Sequence, residues 1–175
     1  MSQSIALFIW RFQPWHIGHR DALDEILNTH SHVKIVIWSS QESRTSMNPW
    51  TAEEREEIIR QDLNSEFRVQ SSEWNDSSIL NFEFWTLNSS KRIWFYYLPD
   101  ILESDELWLR ELQKVAWSFD MLFSGNDWMR NICEEFGVPF AWIDYNIDIS
   151  ATQIREMISN WKDVSKYTSQ TNLPF

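Results

Sequence analysis

The chain has 175 residues, one cysteine and a formal net charge of −11 at neutral pH. This length suits one domain with a hydrophobic core, and the acidic balance argues against a nucleic acid or an anionic membrane as partner. The single Cys133 excludes an internal disulfide. With no signal-peptide pattern and no apolar run long enough to span a bilayer, we expect a cytoplasmic protein.

Predicted strands and helices alternate along the chain without repeats. Apolar runs indicate the strands, and apolar residues at helical spacing indicate the helices. In chain order the predicted elements are strand 5–9, helix 17–27, strand 33–37, a helix from Thr51 through Leu63, strand 92–98, helix 105–115, strand 121–123, helix 127–136, strand 139–144 and a helix after Ser150. This order predicts an α/β fold: one Rossmann-like, doubly wound domain with a parallel sheet of about five strands and helices on both faces.

Two segments have no clear pattern. The stretch 66–90 is polar and aperiodic, and only a short helix over 79–85 is predicted in it. The end of the chain, 165–175, is predicted to be a surface extension. We therefore place the domain over 1–167 and a C-terminal tail over 168–175.

The most informative segment joins the first strand to the first helix. Residues 10–19 read WRFQPWHIGH and set His16 and His19 around Gly18. At such a strand-to-helix turn, free backbone N–H groups and the helix dipole attract anions. The segment predicts a phosphate site, although a histidine pair alone is more often structural than catalytic.

A second motif opens the last helix. Residues 149–155 read ISATQIR, in which Ser150 and Gln153 form a capping box that makes Ser150 the N-cap. Arg155 falls near the helix start, where the dipole disfavours a cation unless an anion is held nearby. Since both motifs follow strands, we expect them to face one cleft.

Together the two motifs resemble those of the nucleotidyltransferases with the HxGH signature. The first is most similar to the Gly-Arg-Phe-Gln-Pro motif of the archaeal-type nicotinamide-mononucleotide (NMN) adenylyltransferases. Further segments agree in the same order: SSQES at 39–43, NPWTAEER at 48–55, PDI at 99–101 with Trp108, FD at 119–120 and FSGN at 123–126. The resemblance covers about 5–167, and several ordered motifs are more specific than any single one.

This resemblance implies an enzyme of NAD biosynthesis that transfers AMP from ATP to NMN, giving NAD and pyrophosphate. The attacking phosphate is already ionised, so catalysis rests on alignment and charge stabilisation. Mg²⁺ is expected as the ATP complex, because it needs few protein ligands, and the sequence has no metal-ligand cluster. Apart from ATP and NMN, a second copy of the chain is a further expected partner, since the family often forms closed homo-oligomers.

The same resemblance assigns roles to individual residues. The implied catalytic residues are His16, His19 and Arg155, with His19 nearest the α-phosphate. The implied ATP-binding residues are Trp10, Arg11, Phe12, Gln13, Gly18, Asn126, Ser150 and Thr152, and the implied NMN-binding residues are Trp38, Arg44, Ile101 and Trp108. Arg44 is included because Met47 stands where the family usually has a basic residue.

Tryptophan and glycine occur in unusual proportion. The chain has 12 tryptophans and 3 glycines, whereas glycine normally makes up about 7% of residues. Trp10, Trp38 and Trp161 stand where the family has glycine, at two sites of close backbone approach to the nucleotide and at a left-handed helix end. We hypothesise that a codon meaning glycine, UGA, was read as tryptophan, and Trp117 is a further candidate.

Several alternatives stay open. If no codon was misread, the chain is a divergent, tryptophan-rich protein with an altered or inactive site. Trp108 matches a family tryptophan, although a core aromatic explains it equally well, and Trp15 and Trp50 are undecided. Other functions are transfer to pantetheine phosphate or flavin mononucleotide, transfer of a cytidylyl group, and, if Trp10 and Trp38 are genuine, a non-catalytic nucleotide-binding module. The RFQP wording and the SSQES segment favour the NMN enzyme.

Overall fold

The computed structural model describes residues 4–71, 92–143, 149–170 and 174. The strands in these ranges are β1 (Ile5–Trp10), β2 (His32–Trp38), β3 (Ile93–Leu98), β4 (Met121–Ser124) and β5 (Phe140–Trp142). The helices are α1 (Ile17–Thr29), α2 (Ala52–Ser71), α3 (Asp105–Ala116), α4 (Asp127–Phe136) and α5 (Ala151–Ser159). The helix predicted over 79–85 lies outside the described residues.

The five strands form one parallel sheet in the order β3-β2-β1-β4-β5. The chain therefore winds outward from β1 in one direction through β2 and β3, and in the other through β4 and β5. At such a reversal the loops beyond the carboxyl ends of two neighbouring strands diverge and leave a crevice. The predicted α/β fold with a parallel sheet is confirmed, and its crevice lies beyond β1 and β4.

Strand β1 is the centre of the core. Its side chains alternate between the two faces of the sheet. Ala6 and Phe8 pack into one cluster with residues of α1 and α2, and Leu7 and Ile9 pack into a second cluster with residues of α3 and α4. Helices therefore cover both faces, as predicted, and burial on both faces explains why β1 is a continuous apolar run.

Local hydrogen bonds set the helix ends. The Thr51 N–H donates to Glu54 Oε2 at 2.8 Å, and the Glu54 N–H donates to Thr51 Oγ1 at 3.2 Å. Ser150 and Gln153 form the same reciprocal pair at the start of α5, so both predicted capping boxes are confirmed. Gly137, with a φ of +67°, ends α4 as predicted. No described helix combines the length and the apolar character needed to cross a bilayer.

The segment after α5 differs from the predicted surface extension. Val164 and Thr168 are buried, and the Thr168 hydroxyl donates to the carbonyl of Trp15 at 2.7 Å. The Ile17 N–H, at the first position of α1, donates to the carbonyl of Tyr167 at 2.9 Å. The segment therefore packs on the N-terminus of α1 and occupies one of the backbone donors that the sequence left free for an anion.

Candidate active site

The loop after β1 is held from inside the protein. The Phe12 ring is fully buried, 5.3 Å from the ring of Phe8 between centroids. The Gln13 amide is satisfied at both ends by the backbone of Trp50: its Nε2 donates to the carbonyl at 2.9 Å, and its Oε1 accepts from the N–H at 3.1 Å. Both side chains therefore position the loop, and binding of ATP by these two residues stays a prediction.

His16 and His19 form a stacked pair, with ring centroids 3.7 Å apart. The His16 backbone N–H donates to His19 Nδ1 at 3.3 Å, which assigns the His19 proton to Nε2. Burial lowers the pKa of His16 to about 4. Burial, and to a lesser extent the charge of His16, lowers the pKa of His19 well below 6.5. Both imidazoles are therefore neutral at neutral pH and can donate N–H groups without carrying a charge.

Aromatic rings enclose His19 completely, and its exposed fraction is 0%. The Trp15 ring stacks on it with centroids 5.5 Å apart, and the Trp10 and Phe12 rings meet it edge-on at 5.6 and 5.0 Å. With the indole of Trp10 in this place, an incoming phosphate cannot contact His19.

Arg155 brings the two sequence motifs together. Its Nη1 donates to the carbonyl of Gln13, 142 positions earlier in the chain, and its Nη2 donates to Thr152 Oγ1 at 3.1 Å. Burial, followed by the charge of nearby Arg11, lowers the pKa of Arg155. The start of α5 therefore lies against the loop after β1, and the expectation that both motifs share one cleft is confirmed.

A cationic cluster forms beyond the ends of β1 and β2. The charge of Arg11 lowers the pKa of both Arg55 and Arg155. Within the described parts of the chain, neither Arg11 nor Arg155 has an ion pair with a carboxylate, and the buried Arg11 Nε has no hydrogen-bond partner. Arginine forks with unused donors suit the oxygens of a polyphosphate, although the whole chain is acidic.

Arg55 is a site residue that the sequence reasoning missed. It is fully buried, and its guanidinium donates to the carbonyls of Thr51 at 3.1 Å, Arg11 at 2.9 Å, Trp38 at 2.7 Å and Ser39 at 3.1 Å. Burial lowers its pKa to about 10, so it stays charged at neutral pH. One side chain therefore joins α2 to the loops after β1 and β2.

A signal for Arg55 was present in the sequence. Ala52, Arg55 and Ile59 recur with the spacing that places residues on one face of a helix. Since Ala52 and Ile59 are buried, a charged residue between them is on the core face and needs polar partners there. The partners themselves come from distant loops and could not be named from spacing.

The loops after β2 and β3 are joined by Asp100. Its Oδ1 accepts from the Ser39 hydroxyl and its Oδ2 from Gln41 Nε2, each at 2.9 Å. The Asp100 N–H in turn donates to Gln41 Oε1 at 2.9 Å. The SSQES and PDI segments thus meet beside the cationic cluster.

Trp38, Trp108 and Ile101, predicted to bind NMN, lie together. The Trp38 ring stacks on Trp128 with centroids 5.2 Å apart and meets Trp108 edge-on at 5.7 Å. Trp108 is 1% exposed within the core cluster of Leu7, and Ile101 packs at the edge of that cluster. This packing accounts for the Trp108 ring, whereas its buried Nε1, like that of Trp38, has no hydrogen-bond partner in the described structure. Contact of these residues with NMN stays a prediction.

Arg44 is held on the surface by an ion pair. Its guanidinium donates to the two carboxylate oxygens of Glu54 at 2.6 and 2.8 Å, and to the carbonyl of Pro49 at 3.2 Å. Hydrogen bonding to Arg44 lowers the pKa of Glu54. Binding of a mononucleotide phosphate by Arg44 would compete with this pair.

Three other predicted ATP-binding residues lie in the first turns of helices. Gly18 is buried in the first turn of α1. Asn126 is the N-cap of α4, where its Oδ1 accepts from the N–H groups of Trp128 and Met129 at 2.9 and 3.3 Å. Ser150 is the N-cap of α5. In the described ranges no three His, Cys, Asp or Glu side chains are placed to hold a metal ion.

Solved structures share this fold. The chain aligns with a bifunctional NMN adenylyltransferase/ADP ribose pyrophosphatase from Francisella tularensis, complexed with AMP and a manganese ion, at a TM-score of 0.68 and 20% identity over 98% of the chain. It spans 46% of that protein's length. The NadR protein in complex with NAD and AMP-PNP aligns at a TM-score of 0.59 and 17% identity, over 91% of this chain and 44% of that one. At these identities the likeness shows the fold.

Sequence comparison gives the family. The cytidylyltransferase-like family model matches residues 7–157. A nicotinamide-nucleotide adenylyltransferase of Pyrococcus furiosus is 32% identical over 163 residues, which is 90% of this chain and 76% of that protein. Those of Sulfurisphaera tokodaii and Saccharolobus solfataricus are each 30% identical, over 90% and 92% of this chain and 75% and 84% of theirs. The chain therefore belongs to the cytidylyltransferase-like family, among the nicotinamide-nucleotide adenylyltransferases.

Proposed function

We propose that the chain transfers the AMP group of MgATP to NMN and so forms NAD and pyrophosphate. The contact of Arg155 with the carbonyl of Gln13 is the observation that carries this proposal, because it joins the two motifs into one cationic site. The relatives named for this activity match nine-tenths of the chain and support the same reaction.

The reaction needs little proton chemistry. A phosphate oxygen of NMN attacks the α-phosphorus of ATP, a new P–O–P bond forms, and the bond to the β-phosphate breaks with release of pyrophosphate. The NMN phosphate is ionised at neutral pH, so no protein base is required. The protein must hold the two substrates in line and stabilise charge on the α-phosphoryl oxygens and the leaving group.

The site residues divide these tasks. His16 and His19 are neutral in the free protein and donate N–H groups to the phosphates, with His19 on the α-phosphoryl oxygens. Arg155, Thr152 and Ser150, at the start of α5, hold the β- and γ-phosphates by charge, hydroxyl groups and the helix dipole. Arg11, whose Nε has no partner in the described structure, adds a second guanidinium fork.

Magnesium enters this scheme with ATP. Mg²⁺ keeps most of its water ligands and binds through substrate phosphates, which fits the side chains proposed to hold the phosphates, since these are cationic or neutral. The free, buried Cys133 suits the cytosol, where we place the reaction. ATP and NMN are the small-molecule partners, and assembly into a homo-oligomer stays a prediction.

A pyrophosphate-release assay tests the reaction and the acceptor together. The chain is assayed with ATP and either NMN, nicotinic acid mononucleotide, pantetheine phosphate or flavin mononucleotide, with CTP as the alternative donor. The assay is run on the chain as printed and on a Trp10→Gly, Trp38→Gly variant. We expect turnover by the variant with ATP and a pyridine mononucleotide. A folded variant that binds ATP and turns over none of these acceptors would contradict the proposal.

One observation favours the non-catalytic alternative for the chain as printed. His19 is fully covered, so it cannot reach a phosphate while the Trp10 ring stays in place. If Trp10 is genuine, we expect the chain as printed to release no pyrophosphate with any of these acceptors.

A further inference from the structure

We infer that positions 10, 38 and 161 are built for glycine, and that the indoles of Trp10 and Trp38 occupy space that a bound nucleotide needs. The first part rests on backbone geometry and packing alone. The second part rests on the proposed function, because it names the nucleotide as the occupant of the crevice.

Position 161 has the backbone of a glycine helix end. Trp161 has a φ of +55°, in the left-handed region that a β-carbon disfavours. The Lys162 N–H donates to the carbonyl of Met157 at 2.9 Å, and the Trp161 N–H donates to that of Ile158 at 3.0 Å. These two bonds form the Schellman motif, whose left-handed position is usually glycine. Because 91% of Trp161 is exposed, packing does little to offset the strained backbone.

The same chain ends another helix with a glycine. Gly137, after α4, has a φ of +67°, and the N–H of the following Val138 donates to the carbonyl of Cys133 at 2.8 Å. The two helix ends therefore share a backbone conformation, and only at position 161 does a β-carbon oppose it.

Trp117, the further candidate, stays a prediction. Its side chain is 66% exposed, and its ring centroid lies 4.8 Å from the Lys34 ammonium. That ammonium donates to the carbonyls of Ala116, Trp117 and Ser118. These contacts do not distinguish glycine from tryptophan at this position.

The Trp10 ring lies in the crevice beyond the carboxyl ends of β1 and β4. A β-carbon built on Gly125, which follows β4, would lie 2.8 Å from Trp10 Cη2 and 3.0 Å from the carbonyl oxygen of Ile143. The ring thus touches the bare backbone of Gly125 on one side and covers His19 on the other. Glycine at position 10 would open this space and expose His19 to it.

Trp38 covers the cationic cluster and leaves its own indole N–H without a hydrogen bond in the described part of the chain. Its Nε1 is buried and has no hydrogen-bond partner among the described residues, which is unfavourable for an indole N–H. The Arg11 guanidinium lies 5.1 Å from its ring centroid. Removing the indole would uncover Arg11, whose Nε is also without a partner.

Two other tryptophans lack these features. The Trp15 Nε1 donates to Asp62 Oδ2 at 2.8 Å, and the residue is 2% exposed. Trp50 is 5% exposed and packs with Ile154 and Ile158 of α5. The fold therefore packs the aromatic side chains at positions 15 and 50, and these two tryptophans are not candidates for glycine.

The residue identities can be read directly. Peptide mass spectrometry of the protein purified from its own cells, together with its gene sequence, identifies the residue and codon at each position. We expect glycine masses at 10, 38 and 161, and one codon shared by these three positions but absent from position 108. Tryptophan masses at 10, 38 and 161 would overturn the inference.

Thermal unfolding of recombinant variants tests the backbone argument without any ligand. Trp161→Gly should raise the melting temperature by about 2 to 4 °C, since it removes a left-handed β-carbon. Trp161→Ala, which keeps that carbon, should give a clearly smaller rise, and the matched variant Gly137→Ala should lower the melting temperature. If Trp161→Gly is no more stable than Trp161→Ala, position 161 is not built for glycine.

ATP titration calorimetry tests the occlusion. The Trp10→Gly, Trp38→Gly variant should bind ATP at least about tenfold more tightly than the chain as printed. Trp117→Gly should not change binding, because Trp117 lies against Lys34 near the start of β2, whereas the crevice lies beyond the strand ends. Equal affinities in a folded variant would overturn the occlusion. Tighter ATP binding without turnover of any acceptor would refute the proposed reaction and leave the occlusion standing. Turnover of NMN by the chain as printed would support the proposed reaction and overturn the occlusion.

Discussion

The histidine pair shows how burial can keep two N–H donors electrically neutral. A charged imidazole in this buried position would lose its hydration. Desolvation lowers the pKa of His16 to about 4 and that of His19 well below 6.5. The pair is therefore neutral in the free protein, and a phosphate bound beside it would favour its protonation.

Replacing His19 should affect catalysis more than folding. In the Trp10→Gly, Trp38→Gly background, we expect His19→Ala to lower kcat by about 100- to 1,000-fold, the usual effect of losing one donor to a developing charge. Pyrophosphate release measures the rate, and circular dichroism verifies the fold. His30→Ala, which changes a partly exposed histidine at the far end of α1, is the control. Near-normal turnover in His19→Ala would show that the phosphate role is misassigned.

The same pKa shifts predict a stability profile. A histidine that titrates near 6.5 when unfolded but at about 4 when folded binds more protons in the unfolded state between these values. Stability is therefore complete above about pH 6.5 and is lost as the pH falls toward 4. Melting temperatures measured from pH 7.5 to 4.5 should fall along this range. They should fall less steeply in His16→Gln, and an equal slope in the two proteins would contradict the assignment.

At the scale of elements, Arg55 of α2 holds the loops after β1 and β2 together through hydrogen bonds to their carbonyls. Arg55→Lys keeps the charge, but a single ammonium cannot reach four carbonyls. We expect a loss of about 3 kcal/mol in the free energy of unfolding, together with weaker ATP binding. Chemical denaturation and calorimetry measure these two changes.

The control for Arg55 lies on the same helix. Arg60 forms an exposed pair with Glu56 at 2.8 Å, and such surface pairs contribute little. Arg60→Lys should leave both stability and ATP affinity nearly unchanged. If Arg55→Lys behaves like Arg60→Lys, Arg55 does not position the site.

Replacing two serine N-caps distinguishes an effect on stability from an effect on ATP binding. Ser150 caps α5, where its Oγ accepts from the Gln153 N–H at 3.2 Å, and Ser104 caps α3, where its Oγ accepts from the Leu107 N–H at 3.1 Å. Replacing either by alanine should cost about 1 kcal/mol of stability. In the glycine-bearing background, only Ser150→Ala should also raise the KM for ATP. Equal KM values in the two variants would place the triphosphate elsewhere.

These elements show what local sequence determines. Capping boxes such as Ser150 with Gln153 could be predicted because both partners lie three residues apart. Gly137 could be predicted as a helix end because its conformation is a property of one residue. The four carbonyls around Arg55 could not, since two loops distant in sequence supply most of them. Likewise, the bond of Arg155 to the carbonyl of Gln13 could not be predicted, because it depends on the order of the strands in the sheet.

At the scale of the whole molecule, the net charge is negative, but the charge near the crevice is positive. The chain carries −11 overall, yet Arg11, Arg55 and Arg155 gather beyond the central strands. An acidic surface repels polyanions in general, while a local cationic crevice still attracts those that fit it. This arrangement suits a protein that selects a small anionic substrate and rejects nucleic acid.

The segment after α5 contributes to global stability. Val164 is 1% exposed, and the Thr168 hydroxyl bonds to the backbone of Trp15 beside the histidine pair. A chain that ends at Asp163 should melt several degrees below one that ends at Gln170, because it loses a buried valine and this bond. Differential scanning fluorimetry compares the two. Equal melting temperatures would mean that this segment only covers the surface, as the sequence suggested.

The guanidinium of Arg55 also decides how the crevice can widen. A planar fork that holds carbonyls from the loops after β1 and β2 at once fixes their separation, so these two loops must move as one body. On the other side of β1, the Trp10 ring lies against Gly125 and the Trp38 ring stacks on Trp128. Glycine at positions 10 and 38 would remove both ring contacts across the crevice and leave the β1–β2 side, held by Arg55, as one unit.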